Sequence, residues 1–600
     1  MTILSFKRKR PLLDPRSRSA LRRRARRLLS EALEDRRMFV DTSSPAILQW
    51  FDSSYQTIEN RTPDIFQAGY GAVWTPPPGR ADSGNFSVGY DVYDRFELGG
   101  PGNPTLYGTE TGLKTVADSL HRSGTDLHID FVLNHNGFNN QGTNGFQQAG
   151  GYPGFFLSFF GDADGDFHGA FESSDLKMRL AGLIDIAQEK NYQAIRNPVP
   201  GFANNIAPGT APLYGRLANV ADENNRRFYP DQDHNPIYVY DPATQEGDIE
   251  ISQFNLQNPM AGDPVSENAM GYLMRNAQWL VQAIGVDGLR IDAAKHVPGF
   301  AYNYLDRAVY RANPRPLLDG STKHVFSYSE VFDDSAGKLL SYVEKNINPA
   351  EPGVIGGNRD VLDFKLYFAL KANLENAGTN NAWYNIKDAM LDVSDDAYHN
   401  GSAGVQFVNN HDVFKPYELA DVAQAFVLMQ PGNAIVYMNG KEFGDNRDFP
   451  KEGFREALGG QHGDTITKLL DARNTHGRGD YRERWVDNQG TFVYERLSSA
   501  VVGLSNRDDG SFNARYDTRY VEVGFAPGTH LVELSGNASD PDVDPYDDIK
   551  EVLTVYHDNG DNKNKIALKI PRNRNADGDW TGKGFVIYGL PTPRRPPTCN

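Results

Sequence analysis

The feature that most restricts the fold of this chain is a rhythm. Eight short apolar stretches alternate with stretches patterned at helical spacing: AILQWF (46–51), GAVWTPPPG (71–79), DLHIDFVLNH (126–135), GVDGLRIDAAKHV (285–297), HVFSYSEVF (324–332), VLDFKLYFAL (361–370), GVQFVNNHD (404–412) and NAIVYMNG (433–440). Strands apolar on both faces belong to a parallel sheet covered on both sides, and an intervening helix is what carries the chain back to the next parallel strand. TIENRTPDIFQAG reads as such a helix, stopped by Gly69. Thr109 to Gly124 carries Leu113, Val116, Ala117 and Leu120 on one face, and Met270 to Ile284 repeats the pattern up to Gly285. Eight such units over roughly 430 residues predict a (β/α)8 barrel.

The rhythm breaks once, over 136–255, which is rich in Gly, Asn, Asp and Pro. So long a stretch is not a structureless loop inside a compact domain, and it predicts a domain inserted after the third strand. Past residue 480 the texture changes to TFVYERL, AVVGLSN, TRYVEVGF, KIALKI and GFVIYGL, separated by turns, which predicts an all-β sandwich. The expected order is a leader (1–45), a barrel in two pieces (46–135 and 256–480), the inserted domain (136–255), the C-terminal β-sandwich (481–590) and a tail (591–600). Several cores are needed, because 600 residues exceed what one core organises.

Charge separates the leader from the body. Residues 1–40 hold 13 Lys and Arg against 4 Asp and Glu, a balance of +9 in a chain of net −17, so the remainder carries −26. An acidic body repels nucleic acid, and no recognition motif for it is present. No apolar run approaches a membrane span. The lone cysteine, Cys599, forms no internal bridge and leaves the compartment open.

In a (β/α)8 barrel the working residues stand at the C-terminal ends of the strands. Those ends supply Asn134 and His135, then Arg290 and Asp292, then Glu330, then His411 and Asp412. Arg290 and Asp292 are two residues apart on a strand and share a face, so the guanidinium is expected to hold the carboxylate ionised. A strand-end salt bridge would explain that pair alone. Packing alone does not require three acids on one rim.

These stretches resemble the α-amylase superfamily, glycoside hydrolase family 13, across about residues 46–590. DFVLNH (130–135), GLRIDAAKH (288–296), SYSEVF around Glu330 and FVNNHD (407–412) look like its four motifs, in its order, with the insertion after the third strand. VGYDVYD (88–94) is similar to the segment with a sugar-stacking tyrosine, and LLDARN (469–474) to the end of the barrel. The resemblance implies a retaining glycosidase in which Asp292 is the nucleophile, Glu330 the acid and base, and Asp412 the group that binds sugar hydroxyls. Arg290, His135 and His411 would serve the same sugar, and Tyr90 would stack on it. Glu330 would need a raised pKa, supplied by burial or by neighbouring carboxylates. Lys295 and His296 resemble the pair that follows the nucleophile in α-amylases proper, where it holds glucose units on the leaving-group side. That pair points to α-1,4 bonds of starch-like glucans.

Calcium is implied as a structural ion, with Asn134 and the His296 carbonyl as ligands. Where the family usually has an aspartate, QFNLQNP (253–259) offers Gln253, which brings no charge. DADGD (162–166) reads either as an oxygen-ligand loop or as a solvated turn. Three other functions fit the same features: an α-glucan transglycosylase, an oligosaccharide-specific α-glucosidase, and a non-catalytic glucan-binding protein. The last has no use for an intact Asp292, Glu330 and Asp412. The expected partner is an α-glucan or maltooligosaccharide, and a monomer is expected. The leader's LEDRR is similar to N-terminal segments of large exported bacterial proteins, so export is expected, with the cytoplasm as the alternative.

Overall fold

The computed structural model describes residues 46–137, 152–155, 166–167, 183–188, 269–297, 322–345, 357–390, 404–413, 417–439, 457–459, 464–511 and 513–591, with backbone elements also at 194–195, 233–240, 248–253, 266–267, 299–311 and 315–316. The leader, most of the stretch expected to form the inserted domain, and all but the first residue of the tail lie outside the described residues.

The eight expected strands form one parallel sheet: β1 Ala46–Phe51, β2 Ala72–Thr75, β3 Asp126–Phe131, β4 Gly288–Ile291, β5 Phe326–Ser329, β6 Arg359–Val361, β7 Gln406–Phe407 and β8 Ala434–Asn439. Their order across the sheet is β6-β5-β4-β3-β2-β1-β8-β7. Each strand therefore lies beside its neighbour in sequence, and β1 beside β8. A parallel bridge between Leu362 and Val405 joins the two free edges, so the sheet closes into the (β/α)8 barrel.

The helices begin and end for local reasons. In Tyr55–Ala68 the Ser54 hydroxyl accepts from the Thr57 N–H, and Gly69, at φ 84°, ends the helix where a side chain would be strained. Thr109 caps Glu110–Arg122 in the same way and aims Leu113, Val116, Ala117 and Leu120 into the core. Ala269–Trp279 runs on through a π-helical turn, Leu280–Ile284, and stops at Gly285.

One sequence expectation is corrected. VLDFKLYFAL is a strand only at its first residue, and a helix, Phe364–Leu374, takes the rest. Asp363 decides this, because its carboxylate accepts from the Leu366 N–H and starts a helix. The apolar spacing that follows suits either period.

The C-terminal part is an antiparallel sandwich. Its strands are β9 Tyr481–Val486, β10 Thr491–Arg496, β11 Ala500–Ser505, β12 Tyr516–Glu522, β13 His530–Glu533, β14 Val552–Thr554, β15 Tyr556–Asp558, β16 Lys563–Pro571 and β17 Phe585–Gly589. One sheet has the order β9-β10-β11-β17-β13-β14 and the other β12-β16-β15. The central strands of the larger sheet, β10, β11 and β17, are buried on both faces. Phe492, Tyr494, Val502, Leu504, Phe585 and Ile587 pack into the barrel core, while the alternate residues Val493, Val501, Val586 and Tyr588 meet Ile566, Leu568 and Ile570 of the second sheet. Trp383 of the barrel stacks on Phe492 with ring centres 5.5 Å apart.

Candidate active site

The strand register gathers the polar groups. Arg290 of β4 is paired with Asp130 of β3, and Ile291 of β4 with Ser329 of β5. The Glu330 N–H donates to the Ile291 carbonyl at 2.9 Å, which continues the ladder one residue further and sets Asp292 beside Glu330. Side chains alternate along a strand, so Asp130, Arg290 and Asp292 reach the same barrel mouth.

Arg290 is fully buried and serves four carboxylates. Nη1 donates to Asp130 Oδ1 (2.5 Å) and to Asp292 Oδ1 (2.7 Å). Nη2 lies 2.9 Å from Glu330 Oε2, an ion pair without hydrogen-bond alignment, and 3.9 Å from Asp412 Oδ2. Its flat cation also lies over the Trp74 ring, 5.5 Å from the centre. One positive charge does not balance the neighbouring carboxylates, and the buried Asp130 and Asp292 are pushed toward their protonated forms. Burial pushes Asp292 up to about 8, with Glu330 and Asp130 adding to the rise and Arg290 pulling the other way. Against the sequence expectation of an ionised Asp292, desolvation outweighs the ion pair with Arg290. Burial likewise raises Asp130 to about 6, and burial together with Glu330 raises Asp412 to about 6.

The cleft has a volume of about 340 Å³. Tyr90, His135, Lys295, His296, Glu330, Asp292, His411 and Asp412 all line it, with Leu183 and Phe332 as apolar wall. Each residue expected at the site, apart from the buried Arg290 and Asn134, faces this one space. The His135 Nε2–H donates to the Tyr90 carbonyl (3.1 Å) and lies 4.0 Å from Asp292 Oδ2. Burial depresses its charged form to about 3, so it is neutral. The Tyr90 ring stacks on His411, with planes 6° apart and centres 5.7 Å apart, and its hydroxyl donates to Asp130 Oδ2 (2.7 Å). Lys295 is exposed, and its ammonium donates to the Phe332 carbonyl (3.3 Å).

Three features were missed in the sequence. Asp130 is the fourth acid, and its period-two spacing toward β3's end was the available signal. Ala293, directly after Asp292, sits at φ 48°, and its N–H donates to Glu330 Oε2 (3.0 Å). A side chain in the left-handed region carries strain, here located where the backbone must turn to meet Glu330. Asp185 is the third: Asn134 is buried and its amide donates to Asp185 Oδ1 (3.0 Å). The bond crosses from the barrel to a two-stranded ribbon in which His135–Gly137 pairs with Leu183–Asp185.

Around the expected metal site, Asp166, the last acid of DADGD, is buried, and its carbonyl accepts from the Ala187 N–H (2.7 Å). The other residues of DADGD and the Gln253 side chain lie outside the described residues. Among the described residues no three His, Cys, Asp or Glu side chains are grouped to hold a metal ion.

No family model matches the chain. Curated relatives include a β/α-amylase of Paenibacillus polymyxa, 22% identical over 515 residues (82% of this chain, 33% of that protein). A cytoplasmic α-amylase of Escherichia coli is 24% identical over 327 residues (50% and 56%), and an α-amylase of Geobacillus stearothermophilus is 21% identical over 546 residues (84% and 85%). The chain thus spans a third to little over half the length of the first two. An α-amylase from Geobacillus thermoleovorans, solved with acarbose, matches in fold with TM-score 0.52 at 15% identity, over 91% of this chain and 98% of that one. Four ordered motifs meeting at one barrel mouth thus accompany similarity to curated α-amylases and a fold shared with a solved α-amylase.

Proposed function

We propose that this chain is a retaining glycoside hydrolase that cleaves α-1,4-glucosidic bonds of starch-like glucans. The observation that carries this reading is the placement of Asp292 and Glu330 at adjacent positions of neighbouring parallel strands, on two nitrogens of one guanidinium. One guanidinium reaches both, Asp292 at 2.7 Å and Glu330 at 2.9 Å, and so close a pair suits a retaining mechanism, with carboxyl groups about 5–5.5 Å apart, rather than an inverting pair that must admit a water.

In the first step Glu330 gives its proton to the glycosidic oxygen as that oxygen's bond to the anomeric carbon breaks, and an Asp292 oxygen bonds to the same carbon. In the second, water attacks that carbon, Glu330 takes the water's proton, and Asp292 departs with its electron pair. Arg290 would stabilise Asp292 as the leaving carboxylate. Asp412 would hold sugar hydroxyls, with His135, His411 and Tyr90 around the ring and Lys295 on the leaving-group side.

The relatives also include a cyclomaltodextrin glucanotransferase of Geobacillus stearothermophilus, 25% identical over 385 residues, which supports transglycosylation as a second reading. The test is incubation with amylose, with and without an acceptor sugar, reading product size and anomeric configuration. Short products of retained configuration are expected. Inverted products, or none, would overturn the proposal, and elongated or cyclic products would favour the second reading.

Calcium belongs to the same proposal. The donors present fit a hard cation in kind: Asn134 and Asp185 are buried oxygen-bearing side chains in contact, and Asp166 is buried nearby in the chain. With the His296 carbonyl they would hold an ion whose charge offsets buried carboxylates and ties the inserted segment to the barrel. Export and action as a monomer are proposed with it. No helix among the described residues is long and apolar enough to cross a membrane.

A further inference from the structure

A buried glutamine outside the four motifs stands behind the site. Gln49, on β1, is wholly buried, and its amide nitrogen lies 2.8 Å from His411 Nδ1. On the other side of the ring, His411 Nε2 lies 2.9 Å from the Tyr90 hydroxyl and 3.3 Å from Asp412 Oδ2. Phe51 and Trp74 pack around the same imidazole, at 4.5 and 5.8 Å between ring centres. A neutral imidazole carries one proton, on one nitrogen only.

We propose that Gln49 sets the tautomer of His411, so that Nε2 carries the proton and presents it to the cleft. The far end of the chain of bonds accepts the same direction. Asp130 accepts from the Tyr90 hydroxyl, which leaves the phenol oxygen free to accept from His411 Nε2–H. Nδ1 is then an acceptor and takes the proton offered by the Gln49 amide. In the opposite arrangement, a bare Nε2 would face the Asp412 carboxylate, and Tyr90 would have to abandon Asp130 to supply a proton. The Gln49 amide oxygen has no hydrogen-bond partner among the described residues, so this buried side chain is satisfied on its donor side alone. An unpaired buried polar atom is costly, and the His411 contact is what the residue gains in return.

Gln49 is thus a positioning residue: it touches no substrate atom and acts through His411. The role assigned to His411, donating to a sugar hydroxyl, rests on the proposed hydrolase. The charged and titratable groups facing His411 are Asp412 directly, Asp130 through Tyr90, and Arg290 across the cluster, whose positive charge together with burial disfavours an imidazolium.

The test is nitrogen-15 imidazole NMR on the full chain at neutral pH, with the His411 signal assigned by its loss in His411→Gln. The wild-type ring should carry its proton on Nε2 with Nδ1 bare. In Gln49→Leu the signal should move toward a tautomer mixture. Turnover on soluble amylose should then fall about tenfold, the equivalent of one neutral hydrogen bond, with KM changed far less. In Gln49→Glu, a group that can only accept calls for a proton on Nδ1, so the ring should become doubly protonated and the pH profile of turnover should shift. A wild-type ring protonated on Nδ1 overturns the proposal, as does a folded Gln49→Leu with an unchanged tautomer. Because the tautomer measurements need no substrate, they decide the role of Gln49 even if the Asp292 and Glu330 variants show the hydrolase reading to be wrong.

Discussion

Asp292→Asn should make the folded protein more stable while removing its proposed activity. The folded-state pKa of Asp292, about 8, lies far above the ordinary aspartate value near 3.9. Between roughly pH 4 and pH 8 the unfolded chain has therefore lost a proton that the folded chain still holds, and stability falls as pH rises through that window. Four units at 1.36 kcal/mol each set a ceiling of about 5 kcal/mol at pH 8. The asparagine must itself be desolvated and makes a weaker contact with Arg290 Nη1, so about 2–3 kcal/mol is expected to survive. Melting temperatures of wild type and variant, taken from pH 4 to pH 8, should diverge from near equality to a variant advantage of several degrees. Turnover on amylose should meanwhile drop by at least about a thousandfold, as removal of a covalent nucleophile does. A variant that melts below wild type at pH 8 would mean that Asp292 is an ionised structural partner of Arg290 and would refute the burial argument. Undiminished turnover would remove it as nucleophile.

Glu330→Gln should lower turnover by about 10² to 10⁴ while glucan binding, followed by affinity electrophoresis, persists; loss of both together would indicate a structural role. Ala293→Gly should leave stability unchanged or raise it by about 0.5–1 kcal/mol in thermal unfolding, the reverse of the usual cost of this exchange, because glycine accepts a φ of 48° without strain. Chelation should lower the melting temperature and added calcium restore it, and Asp185→Ala should abolish that response. No shift with chelator would remove the ion from the proposal.

The barrel strands were legible because strands buried on both faces must be apolar along their whole length, and the motif residues because their types are rare at strand ends. VLDFKLYFAL was misread since short apolar runs fit both periods, and one capping carboxylate, Asp363, decided between them. Asp130 escaped notice for a different reason. In sequence it is one acid inside an apolar strand, and its meaning comes from a register partner 160 residues away. Gln49 is more hidden still, since the histidine it orients is 362 residues along the chain.

By itself, then, the sequence determined the order of strands and which acids and histidines would reach the barrel mouth, since periodicity and residue type act locally. The tertiary structure alone decided the protonation of those acids and the direction of the hydrogen bonds among them. Four carboxylates come to share one guanidinium only when β3, β4 and β5 stand side by side in register with the β7 loop. Charge and desolvation depend on distance through space, which no run of residues records.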